Sequence, residues 1–193
     1  MVGPSADLKD KVVAVIGDST FFHSGITGLI DLIWNGGSSV VLIQDNRITG
    51  MTGGQENPGS GHVLSGAQSP QIDLEKLVLA LGVKPENLRT VNSYDLKQVE
   101  AVLREELAKP EPSVVLTKEP CVLQYKVKGA AMGVDPEVCT ACKVCLKVGC
   151  IALAMVTRGD KTHAEIDAGF CTGCTVCAQV CKFDAIQPGP KAP

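Results

Sequence analysis

Along the first two thirds of the chain, short continuous runs of apolar residues, typical of buried strands, alternate with segments in which apolar residues recur at helical spacing. Two runs rich in β-branched residues, 12–16 and 40–43, end at polar residues and predict buried parallel strands. Between them, the apolar residues of 25–35 recur at i, i+3, i+4 and i+7, which predicts a helix packed on a sheet. Further along we expect helices at 74–81 and 96–108, the second capped by Asp95, and strands at 88–91 and 113–117. This order predicts an α/β fold with a parallel sheet and right-handed crossovers.

Residues 49–69 interrupt this pattern. They are rich in Gly, Ser, Pro and Asn and show no periodicity, so they predict a long irregular loop. Loops of this length in compact domains are usually functional, and we expect this one to cover a ligand.

The cysteines define a second domain. Of nine cysteines, Cys121 stands alone and the other eight fall between Cys139 and Cys181. The sequence around them repeats at an offset of 32 residues, and the first repeat carries one extra residue before its last cysteine. We therefore expect an α/β domain over 1–131 and a small α+β ferredoxin-like domain over 132–193, joined by the stretch 120–133.

The cysteine spacing is typical of iron–sulfur ligation. Each repeat has the pattern C-x2-C-x2-C followed by a more distant cysteine, and in two-cluster proteins that fourth cysteine reaches the other cluster. The spacing predicts two [4Fe-4S] clusters, one held by Cys139, Cys142, Cys145 and Cys181 and the other by Cys171, Cys174, Cys177 and Cys150. Structural zinc is the alternative, but zinc favours separated C-x2-C pairs. Lys182 stands where such motifs often carry proline, and its charge could raise a cluster's potential. We expect Cys121 to be a structural, small hydrophobic residue.

Composition and charge indicate the class of protein, its partners and its location. Of 193 residues, 45% are hydrophobic and 20% are charged, which is enough apolar material for a packed core. The net charge of −3 with no basic stripe argues against nucleic acid as a partner. No apolar stretch is long enough to span a bilayer, and the polar start resembles no signal peptide, so we expect a cytoplasmic protein. Thiols are kept reduced there, which favours metal ligation over disulfides.

Polar residues follow both of the first two strands. Gly17, Asp18 and Ser19 end one strand, and Asp45 and Asn46 end the next, at the edge where parallel sheets bind ligands. Their oxygens are consistent with a Mg²⁺ site that Asp18, Asn46 and a backbone carbonyl, taken to be that of Ile48, share with phosphate oxygens and water.

The residues of this edge resemble a known family. The segments GDSTFFHSG at 17–25 and DNRITGMTG at 45–53, with Gln55 and Pro58-Gly59, are similar to the alpha subunit of indolepyruvate ferredoxin oxidoreductase. The resemblance covers nearly the whole chain, and that family also ends in a double-cluster module with the extra residue of the first repeat.

The resemblance implies an enzyme of several subunits. It would decarboxylate an aryl 2-oxo acid oxidatively, join the acyl group to coenzyme A and pass electrons to ferredoxin or another acceptor, using thiamine diphosphate, Mg²⁺ and the two clusters. Phenylglyoxylate, phenylpyruvate and branched-chain acids remain open as substrates. Asp18, Asn46 and the Ile48 carbonyl would hold Mg²⁺, and Ser19 would lie by the diphosphate. His23 would be catalytic, whereas His62 and His163 are expected to be ordinary surface residues.

The family's alpha subunit is longer than this chain. It carries a pyrimidine-binding domain and the first half of the diphosphate-binding domain ahead of the matching segment. We therefore expect partner subunits, or the rest of a longer protein, to complete the site and to cover the exposed edge of the sheet. The competing interpretation is a non-enzymatic two-cluster electron carrier whose α/β part is only a docking platform.

Overall fold

The structure is a computed structural model that describes residues 12–126 and 129–189. Contacts between Cα atoms divide the chain into two units, residues 1–125 and 126–193. The boundary predicted from the sequence, between 131 and 132, falls shortly after this division. Among the described residues, no helix is both long and apolar enough to cross a membrane.

The first unit is a parallel α/β sheet, as the alternation of periods predicts. Its four strands lie in the order β1-β2-β4-β3, and all three neighbouring pairs are parallel. The elements in chain order are β1 (Val13–Gly17), α1 (Asp18–Thr20), α2 (Ile26–Trp34), β2 (Val40–Asp45), α3 (Leu74–Ala80), β3 (Leu88–Asn92), α4 (Leu96–Ala108), β4 (Ser113–Lys118) and α5 (Val122–Tyr125). The Asp95 carboxylate accepts from the N–H of Gln98 at 2.9 Å, which confirms the predicted cap of α4.

Both faces of this sheet are packed, but unequally. One face packs against the helices around Phe21, Leu29 and Val78, and the other packs against α4 through Val102. The first strand was expected to be buried, yet Val15 is 62% exposed because β1 is an edge strand and pairs only with β2 among the described residues.

The first helix begins earlier than its apolar spacing indicates. It was predicted over 25–35, but helical structure starts at Asp18 and passes through a π-helical turn at Phe21–Gly25 into α2. A side chain at Gly25 would put its Cβ only 2.6 Å from Ile16 Cδ1, so glycine lets this turn pack against β1. The wider π turn shifts the helical period, and the 3.6-residue pattern therefore misses this segment.

The second unit interleaves the two cysteine repeats. Its strands are β5 (Met132–Val134), β6 (Leu153–Arg158), β7 (Lys161–Ile166) and β8 (Ile186–Pro188), and a short helix α6 (Val176–Gln179) lies between the last two. Strand β5 pairs with β8, and β6 pairs with β7, both antiparallel. Each pair takes one strand from each repeat, so neither repeat forms its sheets alone.

Candidate cofactor and cluster sites

Asp18 is a buried carboxylate at the carboxyl end of β1. It is 2% exposed, and its Oδ1 accepts the N–H of Ser19 at 2.6 Å. Burial raises the pKa of this carboxyl above its ordinary value, and the negative charge of Asp45 raises it further, while hydrogen bonds from Ser19 and Asn57 oppose the rise. No cationic side chain of the described residues forms an ion pair with Asp18. A buried carboxylate without a counter-charge is costly, so this residue fits a site for a bound cation.

Asn57 is a site residue that the sequence reasoning missed. Its Nδ2 donates to the second oxygen of Asp18 at 3.3 Å, and its own Oδ1 accepts the N–H of Gly59 at 2.8 Å. The side chain is buried although it lies in the long loop. The Asn-Pro-Gly turn was the signal available in the sequence, since an asparagine there bonds to the backbone two residues on. The hydrogen bond from Asn57 to Asp18 spans 39 positions, and no local sequence pattern predicts it.

Asn46 and its neighbours lie at the same edge, after β2. The Asn46 Oδ1 accepts the N–H of Ile48 at 3.1 Å, and its backbone carbonyl accepts the N–H of Cys121 at 3.1 Å. The Ser19 hydroxyl lies 2.8 Å from the Thr49 hydroxyl, which joins the start of α1 to the long loop. Carboxylate, amide and hydroxyl oxygens thus gather where Mg²⁺ and a phosphate would need oxygen ligands and donors. An amide oxygen has two lone pairs, so Asn46 can ligate a cation and keep its hydrogen bond.

Two other predicted residues flank this edge. Gly17 is the last residue of β1 and immediately precedes Asp18. His23 lies in the π-helical turn, and its side chain is exposed. Turns of this kind are frequent at functional sites, and exposure leaves the imidazole free to meet a ligand.

The eight clustered cysteines divide between two cavities of the second unit. The first cavity is lined by Cys139, Cys142, Cys145 and Cys181. The second is lined by Cys150, Cys171, Cys174 and Cys177. These are the two crosswise sets that the spacing predicts. No three His, Cys, Asp or Glu side chains in residues 12–126 and 129–189 are grouped to hold a single metal ion.

The two cysteine loops share one backbone conformation. Ala141 and Lys143 in the first loop have φ of 54° and 62°, and Gly173 and Thr175 in the second have φ of 72° and 63°. Left-handed conformations cost non-glycine residues about 1–2 kcal/mol each, so they persist only where the surroundings require them. The matching left-handed residues show that both loops follow the same local path.

The two repeats also resemble each other in the burial of one sulfur and in the backbone N–H that donates to another. Burial raises the pKa of the Cys177 thiol to about 11 and raises that of Cys145, its counterpart in the first loop, to a lesser extent. The N–H of Ala164 donates to Cys139 Sγ, and the N–H of Met132 donates to Cys171 Sγ, each at 3.4 Å. Buried thiolates need compensating positive charge, which cluster iron would supply.

The expectation that His163 is an ordinary surface residue is wrong. It is 8% exposed, and its Nδ1 has no hydrogen-bond partner among the residues that the structure describes. Lys161 lies two positions earlier on the same face of β7 and pairs with Glu137 at 2.8 Å, so the chain after β5 passes beside this face. The alternation of polar and apolar residues along β7 does not reveal that this distant segment covers one of its faces. His62, in contrast, is exposed as expected.

Comparison with known proteins assigns both units. Residues 2–116 match the family described as thiamine pyrophosphate enzyme, C-terminal TPP binding domain. The chain belongs to this family. Residues 164–187, which cover most of the second cysteine repeat, match the 4Fe-4S binding domain. A TPP-binding domain and an iron–sulfur domain therefore occur together in one chain.

Curated relatives of this TPP-enzyme chain carry one name, indolepyruvate oxidoreductase subunit IorA. Those of Methanothermobacter thermautotrophicus and Methanothermobacter marburgensis are 40% and 38% identical over 98% of the chain, and that of Thermococcus kodakarensis is 35% identical over 93%. The chain spans about 30% of the length of these relatives (30%, 30% and 28%). The resemblance to the indolepyruvate oxidoreductase alpha subunit is thereby confirmed.

One solved structure shows a weaker likeness. It is a Rhodococcus jostii RHA1 thiamine diphosphate-dependent 4-hydroxybenzoylformate decarboxylase, 21% identical with a TM-score of 0.41, and the match covers 57% of this chain and 20% of that one. A TM-score this low is no basis for further comparison.

Proposed function

We propose that this chain supplies the Mg²⁺-diphosphate site and the electron relay of a thiamine diphosphate-dependent 2-oxoacid:ferredoxin oxidoreductase of the indolepyruvate type. The observation that carries the proposal is the division of eight cysteines into two cavities of four, in a chain whose other unit is a TPP-binding domain. An enzyme that only decarboxylates a 2-oxo acid needs no such relay. Two four-cysteine sets therefore favour an oxidative reaction, with a 2-oxo acid and coenzyme A as substrates and ferredoxin or a similar acceptor for the electrons.

The edge beside Asp18 has the chemistry to hold the diphosphate. Asp18, Asn46 and the Ile48 carbonyl would ligate Mg²⁺, and Gly17 and Ser19 would lie against the diphosphate oxygens. Asn57 holds the Asp18 carboxylate from one side through its amide, which leaves the carboxylate oriented for a cation. Thiamine diphosphate held there would supply the nucleophilic and electron-accepting chemistry that decarboxylation of a 2-oxo acid requires.

The residues around this site would position the cofactor and exclude water from it. Ser19 and Thr49 join α1 to the long loop, and Gln71 Nε2 donates to the Gly59 carbonyl at 2.6 Å, which ties the far end of the loop down. The ordered loop supports its proposed role as a cover over the cofactor. His23, exposed on the π turn, is the residue we propose to contact the substrate or the cofactor.

The free edge of the sheet supports a partner that completes the TPP-binding domain. Strand β1 pairs only with β2 among the described residues, and exposed apolar side chains occur in β1, at Val15, and in α2, at Ile30 and Trp34, the last at 86%. Open parallel edges and exposed apolar side chains are normally covered in a working protein. We propose that the remaining part of the cofactor-binding and pyrimidine-binding domains, on the same polypeptide or on another, packs there.

The test is cofactor analysis of the assembled enzyme after anaerobic purification. We expect about eight irons per copy of the chain, two [4Fe-4S] signals and bound thiamine diphosphate. Asp18→Asn should abolish Mg²⁺-dependent retention of thiamine diphosphate and leave the cluster spectrum intact, whereas Asp31→Asn, on the exposed face of α2, should change neither. Eight irons without any thiamine diphosphate in the wild type would instead support the non-enzymatic electron carrier.

A further inference from the structure

The two cysteine loops match in conformation but differ in charge. The first loop, 139–150, contains Lys143 and Lys147, and Lys182 follows the cysteine that completes the same set. The second loop, 171–181, contains no charged residue. Lys143 and Lys182 are therefore next in sequence to cysteines of the first set, Lys147 lies two positions after another, and the second loop carries no charge.

The loop conformation does not require these lysines. Lys143 has a φ of 62°, and Thr175 occupies the matching left-handed position of the second loop with a φ of 63°. An uncharged residue thus serves the same backbone role 32 positions later. The backbone conformation that the two loops share therefore does not explain why the first loop carries lysines.

All three lysines are exposed and lie within two positions of a cysteine that lines the first cavity. Lys143 lines that cavity, Lys182 lies between Cys181 and Phe183, which also line it, and Lys147 belongs to the 3₁₀ turn Cys145–Val148. Each is exposed, and none forms an ion pair within residues 12–126 and 129–189.

Two other cations of this unit, Arg158 and Lys161, are paired with carboxylates, whereas Lys126 is exposed and forms no ion pair among the described residues. Arg158 pairs with Glu165 at 2.6 Å, and Lys161 pairs with Glu137 at 2.8 Å.

Asp184 is exposed two positions after Lys182 and is the acidic residue nearest to it in sequence. Asp135 is also exposed, and its N–H donates to the Ala185 carbonyl at 2.8 Å, so it lies near Asp184. Three unpaired lysines against these two carboxylates leave an excess of positive charge beside the cysteines of the first set.

Exposed apolar side chains accompany these lysines. Phe183 lines the cavity and is 46% exposed, and Val138, which precedes Cys139, is 43% exposed. An apolar centre with a charged rim is the usual anatomy of a protein interface. Electron-transfer complexes are small and transient, and opposite charges on their rims speed the encounter.

We propose that this lysine surface, formed by Lys143, Lys147 and Lys182 around Phe183, docks an acidic electron-carrier protein. Electrons therefore leave through the cluster that Cys139, Cys142, Cys145 and Cys181 would hold. The inference rests on the proposed function, because it needs the clusters in place. Each encounter moves one electron, so the cluster is oxidised by one electron and the carrier is reduced by one, with no bond made or broken. The lysines also favour the electron on this cluster over the other, since positive charge stabilises the reduced state.

The test starts from clusters reduced chemically, which makes it independent of thiamine diphosphate and of substrate turnover. The assembled enzyme is reduced with titanium(III) citrate, separated from excess reductant by gel filtration, and mixed in a stopped-flow instrument with a purified acidic ferredoxin, or with basic cytochrome c as the counter-probe. We compare the triple variant Lys143→Gln/Lys147→Gln/Lys182→Gln with the control Lys76→Gln/Lys97→Gln/Arg104→Gln, which removes the same charge from exposed positions of the first unit. Electron paramagnetic resonance verifies two clusters in each protein, and single Lys182→Gln replaces the triple variant should that lose iron.

At low ionic strength the triple variant should reduce the acidic ferredoxin about tenfold or more slowly, and the rate should lose its dependence on salt. Its rate with cytochrome c should not fall, and the control should behave like the wild type. An unchanged rate with the acidic ferredoxin, or an equal loss in the control, would overturn the inference. A missing thiamine diphosphate with an intact lysine effect would instead contradict only the proposed function.

Discussion

The N–H of Ala164 donates to the sulfur of Cys139 over 3.4 Å, from the second cysteine repeat to the first. Met132 makes the reciprocal bond to Cys171 at the same distance, from the first repeat to the second. Both partners of one bond lie 32 positions from those of the other. Each repeat therefore holds a sulfur of the opposite loop, and the environment of each cluster site depends on both repeats.

Removal of one of these donors should change the potential of one cluster only. Proline at Ala164 has no N–H, so the negative charge gained on reduction loses one hydrogen bond. We expect Ala164→Pro to lower one cluster potential by about 20–40 mV, which corresponds to about 0.5–1 kcal/mol for one electron. Redox titration followed by electron paramagnetic resonance measures this shift. Thr162→Pro, two positions earlier on β7, is the control for general damage to the strand and should leave both potentials closer to wild type.

Gly173 and Ala141 provide a matched test of the strained loops. A Cβ at Gly173 would lie 2.5 Å from the carbonyl carbon of Gly129, and the residue has a φ of 72°. Gly173→Ala should therefore cost more than the ~1–2 kcal/mol of left-handed strain and should reduce the iron content. Ala141→Gly relieves strain at the matching position and should be neutral or stabilising by up to about 1 kcal/mol. Iron analysis and thermal unfolding measure both, and equal behaviour of the two variants would contradict the loop geometry.

Asn57 should matter both to stability and to cofactor binding. Asn57→Ala removes the amide that donates to Asp18 and the oxygen that accepts from Gly59, so we expect a loss of about 1–2 kcal/mol in unfolding free energy. Retention of Mg²⁺ and thiamine diphosphate should also weaken, because the carboxylate loses its orientation. Asn35→Ala, which removes an exposed bond at the end of α2, should cost less than about 0.5 kcal/mol. Similar losses in both variants would show that Asn57 has no special role.

Asn57→Asp offers a sharper variant of the same test. It retains an oxygen for Gly59 but places a second carboxylate beside the buried Asp18, so the metal-free protein should unfold at a lower temperature than wild type. Added Mg²⁺ should raise the unfolding temperature of this variant by more than it raises that of wild type. Equal Mg²⁺ effects in the two proteins would argue against a cation at this edge.

Protonation of Glu75 in acid should make the first unit less stable. Hydrogen bonds from Lys118 and Thr90 lower the pKa of Glu75 below its ordinary 4.5. A lowered pKa contributes stability that is present above the unfolded-state pKa and is lost as the pH falls below it. Because the pair is partly exposed, we expect Glu75→Gln to cost only about 0.5 kcal/mol at pH 7 and less at pH 4. Urea unfolding at both pH values, with Glu86→Gln as the control, measures the difference, and a cost that grows in acid would contradict it.

The sequence by itself determined the features that depend on neighbouring residues. The period of apolar residues placed the strands and helices of the first unit, and Asp95 marked the start of α4 because a cap bonds within its own turn. The cysteine spacing predicted the crosswise sets because loop length limits which sulfurs can share one group. The polar residues after β1 and β2 indicated the edge at which Asp18 and Asn46 lie.

The tertiary structure alone decided the contacts between distant segments. The bond from Asn57 to Asp18, the burial of His163 and the position of β4 between β2 and β3 each join residues that no local pattern relates. The apolar spacing did not predict the start of the first helix, because the π turn there does not have the period of an α-helix. Local propensity acts over a few residues, whereas burial and hydrogen bonding follow the path of the whole chain, which only packing determines.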